Sequence, residues 1–351
     1  GATNVLTALA DAYLDSVPLV CITGQTPRAL IGTDAFQEVD TYGMTIPITK
    51  HNFLVRSAKD LLNVIPAAFR IAMSDRPGPV LIDVPKDVQN QMVSFEAYPD
   101  VVVPDAAPKF DIAAVEEAAK MIEAAERPVL YLGGGVIHSG AAAMAVTLAE
   151  QASLPTTMTL MALGAMPMDH PLAIGMLGMH GARYTNYVLE EADLLICVGA
   201  RFDDRAIGKT AEFCPNAKII HIDIDPASIS KTIQVDVPIV GSVDTVLDQM
   251  LEAVAELGVE IDDGALADWW EQIDGWRAKR CLSYEKSASA IKPQQVIETL
   301  YKVTEGKAYV ASDVGQHQMF AALYYPFAEP RQWINSGGLG TMGFGLPAAM
   351  G

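Results

Sequence analysis

Apolar runs without polar alternation restrict the fold of this chain more than any other feature. They include Pro18 to Thr23, Pro79 to Val84, Pro128 to Leu132, Leu194 to Val198, Ile219 to Ile224 and Ala308 to Val314. A strand with one face in water alternates apolar and polar side chains, because successive side chains point to opposite faces. A run without alternation is apolar on both faces and needs cover on both. Amphipathic helical stretches lie between the runs. Strand–helix–strand repetition of this type predicts an α/β fold with mostly parallel sheets.

Two stretches read as boundaries. Residues 96–109 (EAYPDVVVPDAAPK) are Pro-rich without a helical period and read as a linker. A second connection spans 258–292. Its middle, Asp268 to Arg280, has helical character and carries three of the four Trp residues. It reads as a packed helical connector. Three α/β segments remain, 1–95, 110–257 and 293–351, and the last is too short for a complete sheet domain. The chain opens at Gly1 without Met and stops at Gly351 in what reads as a starting helix. Both ends look like cuts through folded domains.

Half of the 351 residues are hydrophobic and 19% are charged, too apolar a composition for disorder. The net charge of −19 argues against a nucleic-acid partner, because phosphate binding runs on clustered Lys and Arg. Cys21, Cys197, Cys214 and Cys281 form no C-x-x-C pair and have no zinc-ligand spacing. Cys21 and Cys197 lie inside apolar runs and read as small core residues. No apolar run approaches the roughly 18 residues of a membrane helix. The expectation is a soluble, acidic, cytosolic protein in a reducing compartment, with no membrane partner.

In the middle segment, VLYLGGGV (129–136) is a strand running into three glycines. Exposed backbone amides at such a turn can hold a phosphate. A tight strand-to-helix turn accounts for the glycines equally well. The string is not G-x-G-x-x-G, so the nicotinamide-dinucleotide fingerprint is absent. GARFDDR (199–205) follows another strand directly, where ligands of open α/β sheets sit. Its two arginines and two aspartates could clamp a phosphate and bond a sugar or ring, or form a surface ion-pair cluster. Asp223 ends a strand and could contact a ribose or cap a helix.

The third segment has DVGQH (313–317) after a strand, then SGGLGTMGFG (336–345), a glycine-rich stretch leading into a helix at Leu346-Pro347. Such a backbone can approach a ligand closely, and the helix start favours an anion. His317 reads as an acid/base or phosphate-binding group, or as a packed His. In the first segment, residues 31–38 form a loop after the strand that ends at Thr23. Loops so placed often reach an active site. Lys86 leaves a strand end and is a candidate anion contact, with a solvated surface lysine as the alternative.

Six strings together resemble one family. IGTDAFQE (31–38), RPGPVLIDVPKDV (76–88), MLGMHG (176–181), GARFDDR (199–205), DVGQHQM (313–319) and GGLGTMGFGLPAA (337–349) are similar to acetohydroxyacid (acetolactate) synthase. The likeness runs in order through all 351 residues and is greatest to bacterial catalytic subunits that pair with a small regulatory subunit. It implies three-layer parallel-sheet domains of the thiamine-diphosphate enzyme type. Residues 1–95 would be the later part of a pyrimidine-binding domain, 110–257 a central FAD domain, and 293–351 the start of a diphosphate-binding domain. It further implies a homodimer or homotetramer, because the thiamine cofactor lies between two subunits in this family.

Carried over by motif, Val314, Gly315, Gln316 and His317 would contact the diphosphate, and Gly340 and Met342 the aminopyrimidine. Phe36, Gln37 and Lys86 would face the substrate channel. For FAD the matches are Arg76, Gly133, Gly134, Gly135, Thr159, Leu160, Leu177, Gly178, Met179, His180, Gly199, Arg201, Asp203, Arg205, Asp223 and Ile224. The family often has Glu at Asp223, so a carboxylate is kept with altered reach. Ser228 and Ser242 stand where some relatives have Asn and Asp contacts. The Glu that activates the aminopyrimidine would lie upstream of Gly1, and the Mg²⁺-binding segment downstream of Gly351.

The implied reaction is decarboxylating condensation of two 2-ketoacids, giving acetolactate or acetohydroxybutyrate for branched-chain amino acid synthesis. FAD does no net redox work in this family. Rival readings are another thiamine-dependent flavoprotein, of the glyoxylate carboligase or pyruvate oxidase type, and a non-catalytic FAD-binding fragment. The resemblance predicts that the 351-residue chain by itself turns over no pyruvate. Acetolactate formed by the purified chain with thiamine diphosphate and Mg²⁺ would overturn this.

Overall fold

A computed structural model describes residues 1–101, 110–257 and 266–351. The last eight positions of the expected linker (102–109) and the first eight of the expected connector (258–265) lie outside the described residues. Eleven strands form among the described residues: β1 Leu19–Gln25, β2 His51–Leu54, β3 Pro79–Pro85, β4 Pro128–Leu132, β5 Thr156–Met158, β6 Ala173–Met176, β7 Leu194–Val198, β8 Lys218–Asp223, β9 Val237–Val240, β10 Val310–Ala311 and β11 Trp333–Ile334. The chain divides into two compact units, Gly1–Ala106 with Ser336–Thr341, and Ala107–Asn335 with Met342–Gly351.

In the first unit three strands pair in parallel in the order β1-β3-β2. All seven residues of β3 are buried, as expected of a strand with neighbours on both sides. Ala68 and Ala72 of helix Leu61–Met73 pack in one apolar cluster with Val80, Ile82 and Val84. The expectation of two covered faces fails for β1, where Leu19 is 38% and Ile22 65% exposed. Cys21 is half-buried, not a core residue. The reason is position. β1 pairs only with β3, and Ile22 joins no apolar cluster among the described residues.

In the second unit six parallel strands take the order β6-β5-β4-β7-β8-β9. Chain order runs outward in both directions from the β4/β7 pair, which makes that pair the topological switch point of the sheet. Both faces are covered. Leu130, Leu132, Ile196, Val198, Ile220 and Ile222 pack on one side under helices Ile112–Ala124, Ala142–Gln151 and Val243–Glu256. Val129, Tyr131, Leu195, Cys197 and Ile219 pack on the other, with Val188 and Leu189 of helix Arg183–Glu191 and Trp269 and Ile273 of helix Ala267–Arg277. Successive residues thus alternate between two cores, which is why the sequence shows no alternation of polarity.

Helix Ala267–Arg277 is tied down by its indoles. Trp269 Nε1 donates to the carbonyl of Pro128 at 3.2 Å and Trp270 Nε1 to that of Ser153 at 2.9 Å. Full burial of Ile273 adds about 1.5–3 kcal/mol of apolar stabilisation. The run Ala308 to Val314 is not the buried strand expected. Only Val310–Ala311 is strand, both residues are half-buried, and among the described residues β11 is its single partner. A two-stranded parallel pair has too little surface to cover either face. The glycine-rich stretch does end in a helix, Gly345–Met350.

Gly275 sits on the exposed side of helix Ala267–Arg277, with nothing within 4 Å of where a Cβ would stand. Gly275→Ala should therefore stabilise the second unit by about 0.5–1 kcal/mol. All four Trp residues belong to this unit. A urea titration followed by Trp fluorescence measures the change, and an unchanged or lower midpoint would contradict the helix geometry.

Candidate functional site

The switch point of the second unit gathers most of the residues picked out by sequence. The turn after β4 stands directly on the turn after β7. The Gly133 amide donates to the Val198 carbonyl at 2.8 Å and that of Gly135 to Gly199 at 3.0 Å. A Cβ on Gly133 would lie 2.1 Å from the Gly199 oxygen, and one on Gly135 2.7 Å from the Gly199 Cα. Close backbone approach between two strand ends therefore requires glycine at 133 and 135. Gly199 itself adopts φ +63°, where a side chain is strained.

Neighbouring turns are stitched to this centre. Leu177 to Gly181 follow β6. Asn186 brackets Gly178 there, accepting from its amide at 2.9 Å and donating to its carbonyl at 3.0 Å. The Met179 amide donates to the Arg205 carbonyl at 2.9 Å, and a Cβ on Gly178 would meet that oxygen at 2.5 Å. Asp203 caps the short helix Asp204–Ile207 by accepting from the Arg205 amide at 2.9 Å. Asp223 ends β8 and accepts from the Asp225 amide at 2.8 Å, with Ile224 beside it. Thr159 follows β5 and leads into the turn Leu160–Ala162. Its amide donates to Leu132 at 2.9 Å, while its Oγ1 is buried without a partner.

Parallel strands put all these turns at one edge of one sheet. Two guanidiniums (Arg201, Arg205) as donors, a strand-end carboxylate (Asp223) as acceptor and an unpartnered hydroxyl (Thr159) form a polar set suited to a phosphorylated nucleotide with ribose hydroxyls. Met179, 59% exposed, and His180, also exposed, leave an accessible lip. Arg76 is elsewhere. It lies in the first unit, where its Nε donates to Ser16 Oγ at 2.8 Å and Nη2 to the Leu14 carbonyl at 3.3 Å.

His221 escaped notice in the sequence although it underlies this edge. Cα register aligns it with Cys197 and Tyr131 across three strands. It is fully buried, and its Nε2 donates to the Ala200 carbonyl at 2.8 Å, since a carbonyl only accepts. The Asp223 carboxylate stands 3.8 Å from Nε2, within ion-pair range. Burial nevertheless pushes the His221 pKa down to about 4, so near neutral pH the contact is not an ion pair.

Further along the second unit, Asp313 organises the DVGQH turn. Its carboxylate accepts from the Gly343 amide at 2.8 and 3.0 Å and from that of Val314 at 2.7 Å. These amides hold it below the usual carboxylate range. A Cβ on Gly345 would lie 2.4 Å from the Asp313 amide nitrogen. Gly315 (φ +152°) precedes helix Gln316–Tyr324, whose first turn exposes Gln316 and His317, while Val314 is half-buried. Met342 is 81% exposed.

In the first unit, buried Asp11 and Asp15 clamp the stretch that contains Gly340. Asp11 accepts from Ser336 Oγ and, at 3.3 Å, from Thr341 Oγ1. Asp15 accepts from the Gly337 and Gly338 amides at 3.0 and 2.6 Å. Asp11, Asp15 and Asn186 were all missed, and Asp313 was read only as part of the DVGQH string, without a role. For the first two a signal existed, since carboxylates four residues apart interrupt an apolar stretch and share a helix face.

Phe36, Gln37 and Lys86 share the first unit. Phe36 is 88% exposed, Gln37 takes φ +62°, and Lys86 is exposed at the start of helix Lys86–Gln89. Asp87 links the two places. It pairs with Arg28 at the root of the loop, Nε to Oδ2 at 2.7 Å, and accepts from the Arg28 amide at 2.9 Å.

Residues 1–44 match the thiamine pyrophosphate enzyme N-terminal TPP binding domain, 115–250 the central domain, and 313–351 the C-terminal TPP binding domain. The chain belongs to the thiamine pyrophosphate enzyme family. Within it, the chain is 55% identical over its whole length to the acetolactate synthase isozyme 1 large subunit of Escherichia coli K12, covering 61% of that protein. It is 49% identical to the isozyme 3 large subunit of the same organism and 48% identical to the acetolactate synthase large subunit of Haemophilus influenzae, covering 62% of each. The chain thus spans about three-fifths of the length of these curated relatives. Among the described residues no helix is long and apolar enough to cross a membrane.

The buried neutral His221 predicts a pH dependence. In the unfolded chain a His titrates near about 6.5, in the fold at about 4. Between these values the unfolded chain binds a proton that the fold refuses. The His221 contribution is therefore complete above about pH 6.5 and falls as pH drops toward 4, by about 2 kcal/mol between pH 7 and pH 5. His221→Gln should remove that part of the slope. Urea titrations at the two pH values, read by Trp fluorescence, test it, and equal slopes in both proteins would exclude His221 as the cause.

Proposed function

We propose that the chain carries a large part of the catalytic subunit of an acetolactate synthase, which condenses two 2-ketoacids with loss of carbon dioxide. Pyruvate with pyruvate gives acetolactate; pyruvate with 2-ketobutyrate gives acetohydroxybutyrate. The observation that carries this reading is 55% identity along all 351 residues to a large subunit of that name. Residues 1–95, 110–257 and 293–351 then correspond to pyrimidine, FAD and diphosphate domains. The activating Glu and the Mg²⁺ ligands lie outside 1–351. The working assembly is a soluble, cytosolic dimer or tetramer of catalytic subunits with a small regulatory subunit.

Thiamine diphosphate, when bound, supplies a carbon nucleophile and then an electron sink. The chain supplies placement. Amides of Gly315 and Gln316, with the His317 side chain, would hold the diphosphate at the start of helix Gln316–Tyr324, where the helix dipole favours negative charge, and Val314, its own amide taken by Asp313, would contact it from beside them. Gly340 and Met342 hold the aminopyrimidine. Lys86 attracts the ketoacid carboxylate, and Phe36 and Gln37 line its path. FAD is architectural. Arg201 and Arg205 would neutralise its phosphates, Asp223 would accept from its sugar hydroxyls, the unpartnered Thr159 hydroxyl would bond to it, and the remaining turns at the β4–β8 edge would shape the cradle.

The gene product carrying these residues, supplied with thiamine diphosphate, Mg²⁺ and FAD, should convert pyruvate to acetolactate even with glyoxylate in competition. Carboligation of glyoxylate alone would overturn the assignment in favour of the rival carboligase. Lys86→Ala should raise KM for pyruvate about tenfold at unchanged flavin content. An unaltered KM would remove Lys86 from the substrate path.

A further inference from the structure

The loop at 31–38 projects from the first unit with three residues in the left-handed region, Gly32 at φ +83°, Asp34 at +57° and Gln37 at +62°. For Asp34 and Gln37 that conformation is uncommon and costs energy unless something holds it. No buried side chain is available to do so, because every residue from Ile31 to Gln37 except half-buried Ala35 is exposed. What holds it is the loop's own last residue. The Glu38 carboxylate folds back into the turn and accepts from the Gly32 amide on one oxygen and from the Ala35 amide at 2.8 Å on the other. The Glu38 amide in turn donates to the Ala35 carbonyl at 3.0 Å. The Gly32 and Ala35 amides hold Glu38 below the usual carboxylate range. Backbone amides that converge on one anion form a nest, here two amides three residues apart that close on a side chain of the same loop.

The root of the loop is fixed separately. The Arg28 amide and Nε both bond to Asp87, and Nη1 donates to the Arg56 carbonyl at 2.5 Å. The segment is thus pinned at its start by Asp87, the neighbour of Lys86, and closed at its end by Glu38. Phe36 and Gln37 lie between Ala35 and Glu38, so their direction is set by the closure.

We propose that Glu38 is a positioning residue. Its carboxylate, seated among the loop's own amides, fixes the orientation in which Phe36 and Gln37 are presented to the ketoacid. This rests on the reading of those two residues as substrate-facing. Glu38 touches neither substrate nor cofactor in this role. Ala at 38 removes the closure. Gln keeps one acceptor oxygen but turns an NH₂ group toward amide N–H groups, so it restores only part of it.

Two measurements on the gene product separate the two layers. The first is chymotryptic cleavage after Phe36, which depends on local opening of the loop and not on catalysis. Glu38→Ala should speed it about tenfold and Glu38→Gln by less, with far-UV circular dichroism unchanged. The second is steady-state kinetics. Glu38→Ala should raise KM for pyruvate about tenfold with a smaller change in kcat, and Glu38→Gln should recover part of it. Cleavage and KM both unchanged in Glu38→Ala overturn the nest itself. Faster cleavage with unchanged KM also overturns the proposal. In that case Phe36→Ala and Gln37→Ala, if they too leave KM unchanged, locate the failure in the substrate-facing reading.

Discussion

Backbone standing on backbone at the β4/β7 switch point is the constraint from which the second unit takes its form. Gly133 and Gly135 touch Gly199 where any side chain would collide, at distances of 2.1 and 2.7 Å from a Cβ. The contact fixes the ends of the two central strands relative to each other. The turns after β5, β6 and β8 are then placed by parallel register with that pair. A cofactor cradle at this edge needs no loop to be long. Each turn contributes one or two groups, and the sheet sets their spacing.

Carboxylates serve a second organising role. Asp11, Asp15, Asp313 and Glu38 each accept hydrogen bonds from the backbone or hydroxyls of glycine-rich stretches. Glycine lets those stretches take unusual conformations but cannot hold them there. A negative charge that receives two or three amides can, since charge-assisted hydrogen bonds are roughly twice as strong as neutral ones. In a chain of net charge −19 acidic residues are plentiful, and these four are used for shape. His221 contrasts with them. It stays neutral beside Asp223 because burial outweighs an attraction across 3.8 Å.

The parts of the fold legible in the sequence were those where one strand carries its own cover on both faces. β3, β4, β7 and β8 read as apolar runs and are buried on both sides. The same reasoning failed for β1 and β10, whose runs look similar. Apolar composition states what a strand would bury, not whether a neighbour exists to bury it. For the candidate site, the turns after strands were found because glycine and charged residues cluster there. The residues that brace them were not. Asn186 lies mid-helix, Asp11 and Asp15 interrupt an apolar stretch but have their partners more than 300 positions away, and His221 looks like one polar interruption in an apolar run.

The sequence by itself determined the class of fold, the alternation of strand and helix, and the strings that mark the family. These are local properties, written in periodicity and in residue types adjacent along the chain. Only the tertiary structure decided which strand ends meet, which glycines are required by close approach, and which carboxylates reach back to hold a turn. Those outcomes depend on pairs such as Gly133 with Gly199, Arg28 with Asp87 and Asp11 with Ser336, separated by 66, 59 and 325 positions. Contacts at such separation arise from packing the elements together, and no local pattern encodes them.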